Sequence, residues 1–438
     1  MPPRQFLFAL ACLTVASRVA VLLWLRTYAG DAGAYEHDEI ARSLVAGEGF
    51  RYRFFTDVPE LTGHQAPVMP YLLAAGYALF GVGSAAGKLA VEVVQAVLAG
   101  GAAAALGWIA WQWWGRRAMV ITMVGFLAYP AFAYMPTRIQ AVNWALTFLC
   151  LALAGFVALA RRPGGHRMAW LTGIAGGLGA LGEPILAAPF GLCWLWLAWT
   201  QRAQWRVPAA VAAGCALTLA PWAARNTMAL GAAGFVKSSF WYVAWQGNHP
   251  GASGTDKRPV APEVARALAW RVAGGRETDH LLDEARMQAV SVDLALTAAD
   301  SAALRALATE RERMQWFRTR LARELAADPG AYGTVVARRA AMLVWFDPTN
   351  PRAFVFWYRA PYVVLALLAA AGLVLLARGP TRPPGAASWG LAVGGLVLVH
   401  LLIIMSARFR LPVEALLLLP AAYAVLRLLP SPTPLKTR

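Results

Sequence analysis

The sequence predicts an all-α protein that crosses a membrane many times. Hydrophobic residues make up 59% of the 438 residues, charged residues make up only 14%, and the mean hydropathy is +0.49. These values lie outside the range of soluble globular chains. Many apolar runs also reach the roughly 20 residues that a membrane-spanning helix needs. The chain is therefore expected to be a polytopic membrane protein.

The apolar runs predict about ten transmembrane helices, seven before a long polar segment and three after it. The predicted spans are Phe6–Leu25, Ala85–Trp113, Ala118–Tyr134, Ala141–Ala160, Ala169–Leu181, Ile185–Thr200, Val207–Ala224, Phe354–Ala377, Trp389–Met405 and Leu411–Leu428. Residues 1–225 thus form an N-terminal transmembrane module, with a first external loop at 29–66. Residues 226–352 form an external helical domain between spans seven and eight, and residues 353–438 form a C-terminal transmembrane module.

Within the external domain, Asp300–Asp328 carries apolar residues at helical spacing, and Pro329–Gly330 is expected to end that helix.

The charges are segregated between the two sides of this predicted bundle. The first loop holds seven acids and the external segment holds thirteen, which together are 20 of the 23 acids in the chain. The remaining connections carry arginines and lysines. The positive-inside rule therefore places both termini in the cytoplasm and the acidic segments outside. The net charge of +17 follows from this topology, and no nucleic acid partner is expected.

The first external loop contains an unusual cluster of acids beside the first span. They are Asp31, Glu36, Asp38, Glu39 and Glu48. Ile40, Ala41, Leu44 and Val45 follow at the spacing of one apolar helical stripe, and Gly47 is expected to end the helix. The pattern predicts a short amphipathic helix at the membrane surface that presents carboxylates at its start. A solvated polar loop is the alternative interpretation.

Four stretches resemble the motifs of one enzyme family. They are Tyr35-Glu-His-x-x-Ile-Ala-x-x-Leu-x-x-Gly-x-Gly-Phe50, Pro67-x-x-Pro-Tyr-Leu-Leu-Ala74, Pro221-Trp-x-x-Arg-Asn226 followed by Gly247-Asn-x-Pro250, and Arg408-Phe-Arg-Leu-Pro412. Their order and shared side resemble bacterial membrane glycosyltransferases of the GT-C fold, family 39, which are related to protein O-mannosyltransferases and lipid A aminoarabinose transferase. The resemblance covers nearly the whole chain.

The resemblance implies a GT-C fold in the bacterial inner membrane. It implies transfer of a sugar from a polyprenyl-phosphate carrier, such as undecaprenyl phosphate, to a lipid, glycan or protein acceptor outside the cytoplasm. In that family an acid of the first loop is the presumed catalytic base. A membrane transporter or a flippase for lipid-linked sugars is the rival class, but transporters usually carry inverted repeats and broken helices at mid-membrane. Here the polar groups collect at one face.

Glu36 is the preferred candidate for the catalytic base. Asp38 can pair with Arg42 four residues later, and Glu39 stands at the start of the apolar stripe. Asp31 is the alternative, because related enzymes place their acid after a glycine just beyond the first span.

Arginine suits a departing phosphate because its planar fork is bidentate to phosphate and keeps its charge near lipid. The candidates for this role are Arg225, Arg408 and Arg410, for which anchoring at the membrane interface is the alternative. Further candidates for substrate binding are Tyr35, His64, Glu183, Asn226 and Asn248. Glu183 could instead orient Arg225 or cap its own short turn.

No cofactor is firmly expected apart from the lipid-linked sugar, which is a substrate. A divalent cation, Mg or Mn, held by Asp31, His37 and His249 is the alternative, although the spacing of these residues fits no fixed ligand pattern.

Overall fold

The protein is built almost entirely of helices. We describe it from a computed structural model that covers residues 3–30, 32–231, 236–257, 295–350, 353, 356–380 and 382–429. Its α-helices are α1 Pro3–Leu25, α2 Glu36–Val45, α3 Val68–Phe80, α4 Ala85–Ala128, α5 Pro130–Tyr134, α6 Val142–Arg161, α7 His166–Gly182, α8 Ala187–Thr200, α9 Arg206–Leu230, α10 Phe240–Asn248, α11 Ala298–Ala306, α12 Glu310–Ala327, α13 Pro329–Val344, α14 Phe356–Arg378, α15 Ala386–Leu402 and α16 Ala407–Leu428. Two short antiparallel strands, β1 Arg51–Tyr52 and β2 Glu60–Leu61, pair within the first loop. The prediction of an all-α polytopic fold is confirmed.

Six helices of the described residues are long and apolar enough to cross a membrane. They are Arg4–Leu25, Ala85–Ala128, Val142–Arg161, Arg206–Leu230, Phe356–Arg378 and Ala407–Leu428. Three shorter apolar helices, Val68–Phe80, Pro184–Thr200 and Ala386–Leu402, accompany them. The number of about ten spans stays a prediction.

Helix α4 consists of two helices that fold back on each other at Gly115. This residue has φ 82° and ψ −172°, a conformation that suits glycine and strains other residues. A β-carbon on Gly107, in the first half, would lie 2.6 Å from the side chain of Met123 in the second half. In one straight helix these residues would be about 24 Å apart. The predicted boundary between Trp113 and Ala118 is therefore a real turn.

Close approach of helix backbones holds the bundle together. A β-carbon on Gly173 of α7 would lie 2.1 Å from the carbonyl oxygen of Val211 on α9. On Gly372 of α14 it would lie 1.9 Å from the carbonyl oxygen of Pro420 on α16. Small residues at helix contacts are typical of proteins in lipid, where packing rather than the hydrophobic effect drives association. These contacts set the short distance between α7 and α9 and between α14 and α16.

The external domain differs from the prediction in two places. The expected single helix Asp300–Asp328 is two helices, because Thr309 starts α12 with a capping box. Its hydroxyl accepts the Glu312 N–H at 3.2 Å, and the Glu312 carboxylate accepts the Thr309 N–H at 3.1 Å. Pro329 follows the end of α12, as expected, and it also begins the next helix. It is the first residue of α13, where a proline needs no N–H partner.

The buried Arg339 of α13 joins the external domain to the membrane helices. Its guanidinium donates to the carbonyl oxygens of Gly254 at 3.0 Å, Leu401 at 2.9 Å and Gly247, and to the side-chain oxygen of Asn248 at 2.8 Å. These acceptors belong to the end of α10, the loop after it and the end of α15. One planar fork thus fixes three chain segments.

We expect Arg339→Met to destabilise the protein strongly, by about 3 kcal/mol, because several buried acceptors lose their donor. Arg338→Met is the matched control, since the neighbouring Arg338 is exposed and makes one long contact, 3.4 Å, to the Ala252 carbonyl oxygen. Thermal unfolding of the purified variants in detergent would measure both. Equal unfolding temperatures for the two variants would contradict the role of Arg339.

Candidate active site

One large cavity lies where the ends of the membrane helices meet the first loop. Its volume is about 2140 Å³, and its wall combines apolar residues of α1 and α15 with polar residues of the loops. Seven of the residues predicted from the sequence line it, namely Tyr35, Glu36, His37, Glu39, His64, Glu183 and Arg408. The structure thus brings the first loop, the Glu183–Pro184 turn and the start of α16 to one place.

Glu36 is the first residue of α2. Tyr35 before it has φ 43° and ψ −125°, so the chain turns sharply into the helix at this point. Carboxylates are favoured in a first helical turn because unpaired N–H groups and the helix dipole face them. Within the described residues, the Glu36 carboxylate has no ion-pair or hydrogen-bond partner, and it lines the cavity. It is therefore available to a substrate.

Two other acids of the same turn are already paired. Asp38 accepts from Arg42 at 2.6 Å, as the i, i+4 spacing predicts, and also from the hydroxyl of Tyr77. Glu39 accepts from the side chain of Arg53 at 2.9 Å and from its backbone N–H at 3.1 Å. Both carboxylates are less suited than Glu36 to accept a proton.

Arg408 and Lys237, which lie far apart in the sequence, are two of the basic side chains that line the cavity. Arg408 donates to the side chain of Gln140 at 2.9 Å, and Gln140 in turn donates to the carbonyl oxygen of Gly33 at 2.5 Å. Lys237, just before α10, also lines the cavity. Both cations lie close enough to His37 to lower its pKa. They form one positive region next to the first loop.

His37 and His64 are buried side chains in the cavity wall, with exposed fractions of 6% and 5%. Burial and the neighbouring cations lower the pKa of His37 to about 3, and burial with Lys237 does the same for His64. Both imidazoles are therefore neutral at pH 7. Among the described residues, the Nδ1 atom of each has no hydrogen-bond partner. Each can donate or accept one hydrogen bond in the cavity.

Arg225 and Asn226 do not line the cavity and instead hold the first loop. Arg225 donates to the carbonyl oxygen of Thr62 at 2.5 Å and to that of Phe50 at 3.2 Å, with its guanidinium against the rings of Phe50 and Trp222. Asn226 is fully buried and accepts from Arg225 at 2.9 Å. The contact of Glu183 with Arg225, one of the two alternatives for Glu183, is not formed between these two side chains. The geometry makes Arg225 and Asn226 supports of the loop, and the prediction that they bind donor phosphate receives no support from it.

Arg410 is likewise turned away from the cavity. It forms a buried ion pair with Glu414 at 2.6 Å, one turn along α16, and its guanidinium lies 3.8 Å from the centre of the Tyr362 ring. Glu414 also accepts from the Tyr129 hydroxyl at 2.7 Å. Because its charge is already compensated, Arg410 fits the interior of the bundle better than a phosphate site.

Asn248 and His249 also lie off the cavity wall. Asn248 donates to the carbonyl oxygens of Ala244 and Ile403, and His249 packs on Trp245 at 5.0 Å between ring centres. Asp31 lies outside the described residues, so the alternative base stays a prediction. In the part of the chain that is described, no three His, Cys, Asp or Glu side chains are grouped to hold a metal ion.

The fold was compared with known structures. The archaeal oligosaccharyltransferase AglB from Archaeoglobus fulgidus, in complex with an inhibitory peptide and a dolichol-phosphate, matches with a TM-score of 0.55 and 14% sequence identity, over 97% of this chain and 50% of that chain. AglB has the GT-C fold. This chain has the GT-C fold as well. It spans half the length of the oligosaccharyltransferase.

ArnT from Cupriavidus metallidurans matches at lower scores. The form bound to undecaprenyl phosphate has a TM-score of 0.42 and the apo form 0.40, each with 17% identity over 95% of this chain and 77% of that chain. No family model and no curated protein sequence matches this chain.

In this GT-C chain, four basic residues of the cavity wall were not among the residues predicted from the sequence, namely Arg26, Arg138, Lys237 and Lys257. Lys237 stands in a stretch between Asn226 and Gly247, which resemble family motifs, but no spacing singles it out. Arg138 follows the third predicted span, lines the cavity and lies 3.5 Å from the Tyr35 hydroxyl. A basic residue directly after a span on the acidic side of the membrane was the available signal, because the positive-inside rule disfavours it there.

The buried histidines predict a pH-dependent stability. An unfolded histidine binds a proton near pH 6.5, whereas folded His37 and His64 bind one only near pH 3. Stability should therefore fall as pH drops below about 6.5, by up to about 1.4 kcal/mol per pH unit for each histidine. Thermal unfolding of the wild type and of the His37→Gln/His64→Gln double variant, between pH 7 and pH 5, would test this. The double variant should have the shallower slope, and parallel slopes would contradict the assignment.

Proposed function

We propose that this chain is a glycosyltransferase that moves a sugar from a polyprenyl-phosphate carrier to an acceptor on the extracytoplasmic face of a bacterial inner membrane. One observation carries the proposal. The Glu36 carboxylate, without a partner among the described residues, shares the wall of one cavity with Lys237 and Arg408. An unpaired base and a group of fixed cations are the two components that such a transfer needs.

The shape of the cavity suits a lipid-linked donor. Part of its wall is apolar and comes from membrane helices, including Val21 and Trp24 of α1, Val399 of α15 and Ile403 directly after α15. A prenyl chain can lie along such a surface while its phosphate reaches the loops. The oligosaccharyltransferase of similar fold was solved with a dolichol-phosphate, which supports a donor of this class.

The reaction follows from these positions. Glu36 takes the proton of the acceptor hydroxyl, and the acceptor oxygen forms a bond to the anomeric carbon of the sugar. The bond from that carbon to the phosphate oxygen breaks, and the prenyl phosphate leaves with the electron pair. Lys237 and Arg408 offset the negative charge that grows on the phosphate, and the neutral His37 and His64 can donate hydrogen bonds to it.

The charge segregation of the sequence supports the extracytoplasmic location. Nucleotide sugars are made in the cytoplasm and do not cross the membrane, so a site on the other face has to use a sugar already carried across on a lipid. The sequence also has no glycine-rich phosphate loop between a strand and a helix that would hold a nucleotide. The acceptor is a lipid, a glycan or a protein.

Glu36→Gln should reduce sugar transfer by about 10²–10⁴-fold, because the proton acceptor is lost while the shape of the side chain is kept. Glu48→Gln, on an exposed acid of the same loop, should keep wild-type activity. The measurement is transfer from a radiolabelled polyprenyl-phosphate sugar by protein in nanodiscs. Full activity in Glu36→Gln together with loss in Asp31→Asn would move the role of base to Asp31. Movement of the intact lipid-linked sugar across a bilayer, with no new glycosidic bond, would favour a flippase.

Arg408→Ala should weaken both donor affinity and turnover, each by about tenfold or more, because it removes a charge-assisted contact present before and during departure of the phosphate. Arg408→Lys should recover only part of the loss, since a point charge replaces a planar fork. Donor titrations of turnover separate the two quantities. Transfer directly from a nucleotide sugar, with no lipid carrier present, would contradict this assignment of the donor.

A further inference from the structure

The carboxylate of Glu310, the first residue of α12, is buried behind the cavity wall. Its exposed fraction is 3%, and both of its oxygens are in use. One accepts from the hydroxyl of Thr62, and the other accepts from the hydroxyl of Ser238 and from the N–H of Gly63 at 3.2 Å. An ionised carboxylate only accepts hydrogen bonds, so it can satisfy all three donors at once.

The segments that Glu310 joins continue directly into the cavity wall. The Thr62 hydroxyl also accepts the N–H of His64 at 2.9 Å. Ser238 donates its own N–H to the Gly63 carbonyl oxygen at 2.8 Å, and Ser239 donates its hydroxyl to the His64 carbonyl oxygen at 2.8 Å. His64 and Lys237, which precedes Ser238, thus stand on two strips of backbone that are fastened to each other and to Glu310.

The two strips of backbone are in direct contact with each other. A β-carbon on Gly63 would lie 2.9 Å from the side chain of Leu230 and 3.4 Å from that of Ser238, so the two strips lie in contact. Arg225 donates to the Thr62 carbonyl oxygen at 2.5 Å and lies near enough to Glu310 to influence the pKa of its carboxyl. In the same region Arg313 of α12 pairs with Glu60. The external domain therefore holds the first loop in place through contacts directly before His64.

We infer that Glu310 is a positioning residue of the proposed transferase, which holds Lys237 at the position that the donor phosphate requires. Glu310 itself does not line the cavity. Its effect on the reaction passes through Lys237, and this inference rests on the proposed function.

A double-mutant cycle tests the inference, with two readouts on the full chain in nanodiscs. One is the affinity for undecaprenyl phosphate, and the other is sugar transfer from the polyprenyl-phosphate donor. Glu310→Gln should weaken the affinity and slow transfer by about tenfold in the wild-type background. In the Lys237→Ala background it should change either quantity by no more than about twofold, since the side chain that it aligns is absent.

Glu312→Gln is the matched control, because Glu312 lies on the same turn of α12 but is exposed and caps only its own helix. It should leave both readouts within about twofold of the wild type. If Glu310→Gln does not fold, Thr62→Val and Ser238→Ala each remove one of the three donors. Each should then give a smaller loss that again vanishes in the Lys237→Ala background.

Equal losses from Glu310→Gln with and without Lys237 would overturn the positioning role, and so would unchanged affinity and transfer in Glu310→Gln. A wild-type protein that binds undecaprenyl phosphate but transfers no sugar would refute the proposed function. The affinity cycle would still decide the role of Glu310.

Discussion

The attachment of the first loop to the external domain is the constraint on which the candidate site depends. A loop outside the membrane has little lipid-facing surface to bury, so its backbone needs other partners. The Glu310 carboxylate supplies one set by accepting from Thr62, Gly63 and Ser238. The Arg225 guanidinium supplies the opposite set by donating to main-chain carbonyl oxygens of the same loop. An acceptor-only group and a donor-only group together fix the loop from both sides.

Apolar packing completes this attachment and sets the direction of α2. Ile40 and Phe50 are buried against Trp222 of α9, and the Phe50 and Trp222 rings meet edge to face at 5.0 Å. The apolar stripe of the short helix therefore faces α9 and not lipid alone. With that face buried, the first turn of α2 lies at the edge of the cavity, where Glu36 and His37 enter its wall.

Charge compensation separates the structural cations of this protein from those of the site. Arg410 is neutralised by Glu414 inside the bundle, and Arg313 of the external domain is neutralised by Glu60 of the first loop. Lys237 and Arg408 form no ion pair among the described residues, although they are half-buried in the wall of a cavity that also holds two neutral histidines. Unpaired charges in such a place are costly, and an anionic ligand relieves that cost. In the proposed function, the anionic ligand is the phosphate of the donor.

The sequence predicted the features that depend on local spacing. Hydropathy predicted the helical membrane fold, and the i, i+4 spacing predicted the Asp38–Arg42 pair. The same rule applied to Arg410 and Glu414 would have shown that Arg410 is compensated. The capping-box sequence at Thr309 and Glu312 could also have been recognised. It would have predicted two helices in place of the single helix. The role of Arg225 in holding the first loop could not be predicted, because its acceptors are main-chain carbonyl oxygens that no sequence pattern reveals.

The choice among the acids of the first loop illustrates what the structure adds to such patterns. Glu36, Asp38 and Glu39 occupy one turn of α2, where successive residues point about 100° apart. Asp38 therefore meets Arg42 and Tyr77, Glu39 meets Arg53, and Glu36 points to a different side. A carboxylate that already accepts hydrogen bonds from a guanidinium has fewer lone pairs left to receive a proton from a substrate. The geometry of a single helical turn thus leaves Glu36 as the acid of this turn that has no partner among the described residues, which supports its proposed role as the base.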